Sequence, residues 1–208
     1  MGIQLLNEDN MAVMARYPDK YFSLAIVDPP YGISFESGGQ YYKRKNKLEK
    51  KRWDKDIPED RYFEELFRVS QSQIIWGGNY FDLPPTRCML VWFKTDELVG
   101  RTFSEFEYAW TSFNSPARII QLRPFQRNGS RIHPTQKPIE LYSNLLDNYA
   151  QKDFRILDTH LGSGSSAIAA HQFGIAEFVG TEIDFEYFTA AKKRFDLVTS
   201  QTQLFKAS

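Results

Sequence analysis

Several things are scarce in this chain of 208 residues. There is one cysteine, Cys88, so no intrachain disulfide can staple the fold. Lying in the apolar run MLVWF, it reads as a small buried hydrophobe in a chain suited to a reducing, cytoplasmic environment. The three histidines, His133, His160 and His171, have no metal-ligand spacing, so no metal site is expected. No apolar run approaches the roughly 20 residues of a membrane helix, and MGIQLLNEDN has no basic stretch leading into a long apolar one, so no secretory signal is expected. Net charge is absent as well: 26 basic residues balance 26 acidic ones. That balance does not exclude a nucleic-acid partner, because the location of the charge decides.

What is present is a run of short β-rich segments alternating with helical ones. The pattern predicts an α/β fold with a mostly parallel sheet. Strands are expected at 24–28, 73–77, 89–94, 107–112, 118–122, 155–159 and 177–182. Helices are expected at about 58–70, 139–150, 164–173 and 185–197. The length suits a single domain with small appendages.

Two segments break the pattern. Residues 36–56 lack apolar periodicity, and within them YYKRKNKLEKKRW carries seven Lys or Arg against one Glu. Lys43, Arg44, Lys45, Lys50, Lys51 and Arg52 are candidates for phosphate contacts, and Tyr41, Tyr42 and Trp53 for base stacking. The bland alternative is a solvated loop. Residues 113–138 are loop-rich and hold Arg118, Arg123, Arg127 and Arg131.

Two stretches carry chemistry. In LAIVDPPYG a buried strand runs into Asp28, Pro29, Pro30 and Tyr31. The prolines stop the ladder because they lack N–H groups. Asp28 and the Pro29 carbonyl offer two acceptors, which suit a planar NH2 group, and Tyr31 offers a face for a flat ring. In RILDTHLGSGSSAIAA a strand ends at Asp158, turns through Gly162-Ser163-Gly164 and enters a small-residue helix. Glycines permit the turn and the close approach of a ligand to the helix N-terminus. Glu182 follows Gly162 by twenty positions, the spacing at which an acid accepts ribose hydroxyls on a Rossmann-like sheet. Gly162, Gly164 and Ala167 also satisfy the dinucleotide fingerprint, so a nicotinamide enzyme stays open on this turn alone.

Taken together, DPPY, IIWGGNYF (74–81), HPTQKPIELY (133–142), LDTHLGSGSSAIAA and FVGTEIDFEYFTAA resemble the amino-group DNA methyltransferases of the β group, in which the catalytic motif precedes the cofactor motif. That order is a circular permutation of the Rossmann-like methyltransferase fold. The resemblance implies double-stranded DNA as partner, S-adenosyl-L-methionine as cofactor and methylation of a flipped base. By the same likeness Asp28 and the Pro29 carbonyl would hold the target amine, and Tyr31 would stack on the base. Asp158, His160, Gly162, Ser163, Gly164 and Glu182 would form the cofactor site, with Lys137 of HPTQKP near its methionyl part. The family joins DPPY more often with adenine N6 and SPPY with cytosine N4, so Asp28 favours adenine. Cytosine N4 and a catalytically silent DNA-binding relative are the alternatives. His160 departs from the aromatic residue usual at its position; a ring there can still pack against the cofactor, and the alternatives are weaker binding, or an altered pH dependence if the imidazole titrates. Residues 95–132 are the expected target-recognition insertion, with Arg123 and Arg127 as candidate DNA contacts. Gln201-Thr-Gln-Leu204-Phe205 resembles peptides that dock on the bacterial sliding clamp, and many β-group members pair as homodimers.

Overall fold

The computed structural model describes residues 2–32, 57–94, 104–124, 132–133 and 135–206, with residues 201–206 as backbone only. Lys43, Arg44, Lys45, Lys50, Lys51, Arg52 and Arg127 lie outside this set.

The strands are β1 (Gly2–Leu6), β2 (Phe22–Val27), β3 (Ser70–Trp76), β4 (Met89–Phe93), β5 (Phe106–Thr111), β6 (Arg118–Gln121), β7 (Arg155–Asp158) and β8 (Glu177–Thr181). They form one sheet in the order β1-β8-β7-β2-β3-β5-β4-β6. All neighbours run parallel except β5, which is antiparallel to both β3 and β4. The helices are α1 (Asn10–Met14), α2 (Asp60–Val69), α3 (Ile139–Tyr149), α4 (Ser165–Phe173) and α5 (Phe185–Lys206). The expected α/β class with a mostly parallel sheet is what the chain adopts.

The sequence FSLAIV explains why β2 is central. A strand covered on both faces reads as continuous apolar sequence, and its alternate residues feed two separate cores. Leu24 and Ile26 pack with Ile74, Trp76, Ile156, Leu141, Leu145, Ala167 and Ala170, under α3 and α4. Ala25 and Val27 pack with Ile75, Leu157, Val13, Met14, Tyr62, Phe63 and Leu66, under α1 and α2. Full burial of a side chain such as Leu24 contributes about 1.5–3 kcal/mol.

Four expectations need amendment. β1 and α1 were not foreseen. β1 is short and half-exposed, and is held by its register with β8, Leu6 opposite Thr181. α1 is a single turn or so, started by Asp9, whose side chain accepts the Ala12 N–H at 3.0 Å. Helix α5 does not stop at 197 but runs to Lys206, so the Gln201–Phe205 stretch is helical backbone and not a free tail. Finally, the expected 95–132 insertion contains β5 and β6, which are strands of the sheet itself.

Candidate active site

The topology brings the two chemical stretches together. From β2 the chain passes through α2 to β3 on one side, while β7 leads through α4 to β8 on the other. The crevice between β2 and β7 is therefore the point where strand order reverses, and ligands on open α/β sheets sit at such points, at the carboxyl ends of the strands. Asp28 follows β2 and Asp158 ends β7, on neighbouring strands. A cavity of about 240 Å³ opens there, lined among others by Asp28, Pro30, Lys137, His160, Gly162 and Glu182.

At one end of it, Asp28 is engaged on both oxygens: Tyr31 Oη donates to Oδ1 and Lys137 Nζ to Oδ2. Burial, then the Asp28 charge, pushes the Tyr31 hydroxyl well above the usual phenol range, so it stays a donor. The Tyr31 ring lies against Tyr80, with centroids 5.0 Å apart and planes 13° from parallel. Gly77 makes this possible. It has φ +70, and a Cβ there would stand 2.2 Å from the Tyr31 ring. Its neighbour Gly78 gives way to Trp110, where a Cβ would stand at 2.4 Å. The pair in IIWGGNYF thus sets the wall behind the aromatic ring.

Lys137 is nearly buried, with a side chain 4% exposed. Burial opposes its charge, yet the Asp28 and Glu107 carboxylates outweigh that and hold its pKa above the ordinary lysine value. Its ammonium therefore stands at the Asp28 end of the cavity. Glu107, on β5, and Lys94, just after β4, complete this charged group. Because β5 is antiparallel, its start meets the carboxyl ends of the other strands. Arg123 follows β6 on that same sheet edge and is exposed.

At the other end, Gly162 (φ +51) and Gly164 (φ +72) occupy the left-handed conformations that favour glycine. Glu182 Oε2 accepts the Gly162 N–H at 3.0 Å and Oε1 accepts the Asp184 N–H at 3.0 Å. Each carboxylate oxygen keeps further acceptor capacity. Burial raises the Glu182 pKa and these backbone donors counter it. The neighbouring Ile183 is 71% exposed and lines the cavity, an apolar face beside an acceptor pair. Ser163 Oγ lies 3.1 Å from Ser165 Oγ, and Arg194 of α5 donates to the Ser163 carbonyl at 2.8 Å, which fixes the turn.

Asp158 sits below the cavity floor, 2% exposed. It accepts the His160 N–H at 3.0 Å and the Ser166 hydroxyl. Burial drives its pKa up to about 7, against those hydrogen bonds. His160 is held at both nitrogens, by Thr159 Oγ1 at 2.9 Å and by the Asn10 amide at 3.2 Å, and its ring meets Tyr62 edge-on. Burial lowers its pKa to about 4, so it is neutral near pH 7 and does not titrate there. The unusual histidine thus behaves as a fixed polar ring. His133 is likewise driven to about 4 by burial and packs on Tyr187.

The sequence had not singled out Glu107, Lys94, Tyr80, Asn10, Tyr62 or Ile183. Each is an isolated polar, aromatic or aliphatic residue with no local pattern. Tyr80 and Ile183 lie within motif segments, IIWGGNYF and FVGTEIDFEYFTAA, that assign them no role. No group of three His, Cys, Asp or Glu among the described residues could hold a metal ion.

Comparison with known proteins accords with this geometry. A DNA methylase family model matches residues 42–193. YubD of Escherichia coli (strain K12) is 24% identical over 230 residues, covering 96% of this chain and 93% of YubD. Among solved structures, the M1.HpyAVI–SAM complex superposes with a TM-score of 0.60 at 20% identity, covering 92% of this chain and 99% of that one. The cytosine-N4-specific PvuII DNA methyltransferase gives 0.62 at 14% identity, covering 96% and 91%. The matched family span takes in the Gly77-Gly78 turn, Lys137, the Gly162–Gly164 turn and Glu182, while Asp28 stands ahead of it. The chain belongs to the DNA methylase family of N6- and N4-methyltransferases.

Proposed function

We infer that this chain transfers the methyl group of S-adenosyl-L-methionine to the exocyclic N6 of an adenine flipped out of double-stranded DNA. The observation that carries the reading is one cavity lined at one end by Asp28 and at the other by Glu182 and Gly162. The donor set fits the cofactor. Glu182 offers acceptors for ribose hydroxyls, Ile183 offers an apolar face to a flat base, and the glycine turn leaves room for close approach. When bound, the cofactor supplies an electrophilic sulfonium methyl.

The protein's own residues do the rest. The adenine amine is a weak nucleophile because its lone pair is delocalised into the ring. Asp28 and the Pro29 carbonyl hold its two protons and favour a pyramidal nitrogen. As the new N–C bond forms and the methyl–sulfur bond breaks to leave a neutral thioether, positive charge grows on that nitrogen beside the Asp28 carboxylate, an interaction stronger in the transition state than before it, and the nitrogen then loses one proton to solvent by way of Asp28. Holding the amine in line with the methyl contributes as well, through lost translational freedom. Tyr31 presents its ring to the flipped base and offsets part of the unstacking cost. The exposed Arg123, together with the basic 43–52 stretch and Arg127 outside the described residues, suits phosphate contacts whose strength falls with salt.

Cytosine N4 is the second reading, favoured by the likeness to the PvuII enzyme's fold. Incubation with mixed-sequence DNA and labelled cofactor, followed by nucleoside digestion and mass spectrometry, separates the two. N6-methyladenine that disappears with Asp28→Ala is the expected product. N4-methylcytosine would replace the adenine reading, and absence of any methylated nucleoside despite cofactor binding would refute both.

A further inference from the structure

Four ionic side chains alternate in sign along the catalytic edge of the sheet. Lys94 Nζ meets Glu107 Oε1 at 2.7 Å, Glu107 Oε2 meets Lys137 Nζ at 3.3 Å, and Lys137 bonds Asp28 Oδ2. The sum of charges is zero, but the division is uneven. Lys137 leans on Asp28, and Glu107 is its more distant seat. Its ammonium also lies 5.2 Å from the Trp76 ring centroid, within the range where an aromatic face stabilises a cation.

This placement conflicts with the chemistry proposed for Asp28, and the inference rests on that reading. An ammonium on Asp28 already draws on the carboxylate's charge. A second cation, growing on the target nitrogen, would meet both a weakened acceptor and a like charge close by. The conflict is relieved if the ammonium has somewhere else to go without entering water. Glu107 is that place. It is buried enough that desolvation would raise its pKa, yet Lys137 and Lys94 hold it below the ordinary value, so it remains a carboxylate.

We propose that Glu107 is a positioning residue that takes Lys137 from Asp28 as the target amine docks, while Lys94 anchors Glu107 from the far side. The Trp76 face beside the ammonium stabilises it away from water. Asp28 Oδ2 is then released to the amine while Tyr31 keeps its hydrogen bond to Oδ1, and Lys137 stays buried and paired throughout. Glu107 acts through Lys137 and need not touch either substrate.

The test is single-turnover methyl transfer by the full-length chain to saturating duplex DNA, with labelled S-adenosyl-L-methionine. Glu107→Gln keeps the shape and removes the charge. It should slow transfer by about ten-fold or more, while cofactor Kd and DNA KM each move less than about three-fold. In a Lys137→Met background the same change should cost less than about two-fold, because its target is gone. Lys94→Met removes the anchor on Glu107 and should slow transfer as well, by less than Glu107→Gln does. A structural staple predicts otherwise: Glu107→Gln costs the same with or without Lys137. That result, or a parental rate for Glu107→Gln, overturns the proposal. Asp28→Asn is run alongside. If it transfers at the parental rate, the amine-acceptor reading itself fails. If it is inactive while Glu107→Gln is fully active, only the relay falls.

Discussion

Asp158 stores an energetic cost that pH should expose. Its carboxyl is 2% exposed and is driven up to about 7, mainly by burial. In the unfolded chain an Asp titrates near ~3.9, so the gap of roughly three decades, at about 1.36 kcal/mol each, amounts to about 4 kcal/mol. The sign follows from proton binding. Below pH ~4 both states hold the proton and nothing is lost. Between there and about 7 the unfolded state ionises first, so the folded state binds more protons and stability falls as pH rises. Above about 7 both are ionised and the whole cost is present. Asp158→Asn removes the titration and keeps the shape, with an acceptor for the His160 N–H and an amide beside Ser166. Urea denaturation of both proteins at intervals across that range gives the difference in unfolding free energy. The variant should gain on the parent steadily through the window, by up to about 4 kcal/mol in total, part of which relaxation of the site would absorb. A difference that is flat with pH, or one that moves in the parent's favour, would refute the burial argument.

Two other perturbations address the geometry of the cavity. Gly77→Ala should cost about 1–2 kcal/mol for the left-handed backbone and about 1–3 kcal/mol for overpacking, since its Cβ would stand 2.2 Å from the Tyr31 ring; thermal unfolding reads the loss, and base-flipping fluorescence reads the displaced ring. Glu182→Gln leaves one of the Gly162 and Asp184 N–H groups facing an amide instead of an oxygen, and removes the charge. Loss of a charged acceptor is worth about 1.5–3 kcal/mol, so calorimetry should find cofactor binding weakened by about ten- to a hundred-fold.

Much of the fold could be read from the residues, for a physical reason. β2, β3, β7 and β8 lie where the sheet is covered on both sides, and each announces itself as an apolar run. β1 and α1 did not, because a half-exposed strand of five residues and a helix of five leave little periodicity to detect. The early end given to α5 had a different cause. Polar residues after 197 looked like a tail, but from Phe185 to Ser208 there is neither Gly nor Pro to stop a helix. The site divided in the same way. Asp28, the glycine turn and Glu182 sit in motifs whose spacing is local. Asn10 reaches the cavity from a separate element, Glu107 and Tyr62 meet its lining residues Lys137 and His160 from others, and Lys137 bonds a residue 109 positions away. Contacts of that range are made by topology, and short stretches of sequence do not display them.

The placement of β8 has a consequence for how the molecule is completed. It lies between β1 and β7, so among the described residues a strand around residue 4 finds its neighbour only in one around residue 179. The cofactor corner inherits that dependence. The Glu182 N–H donates to the Leu6 carbonyl at 3.0 Å, and the Asn7 amide donates to the Glu182 carbonyl at 2.7 Å. During synthesis β1 must therefore wait, unpaired, until nearly all the described chain has emerged. Glu182 is then set by a closing seam rather than by the half that carries Asp28. A chain that stalls late would hold an assembled β2–β3 core and Asp28 without the seam that positions Glu182, a built-in bar to methyl transfer by unfinished protein.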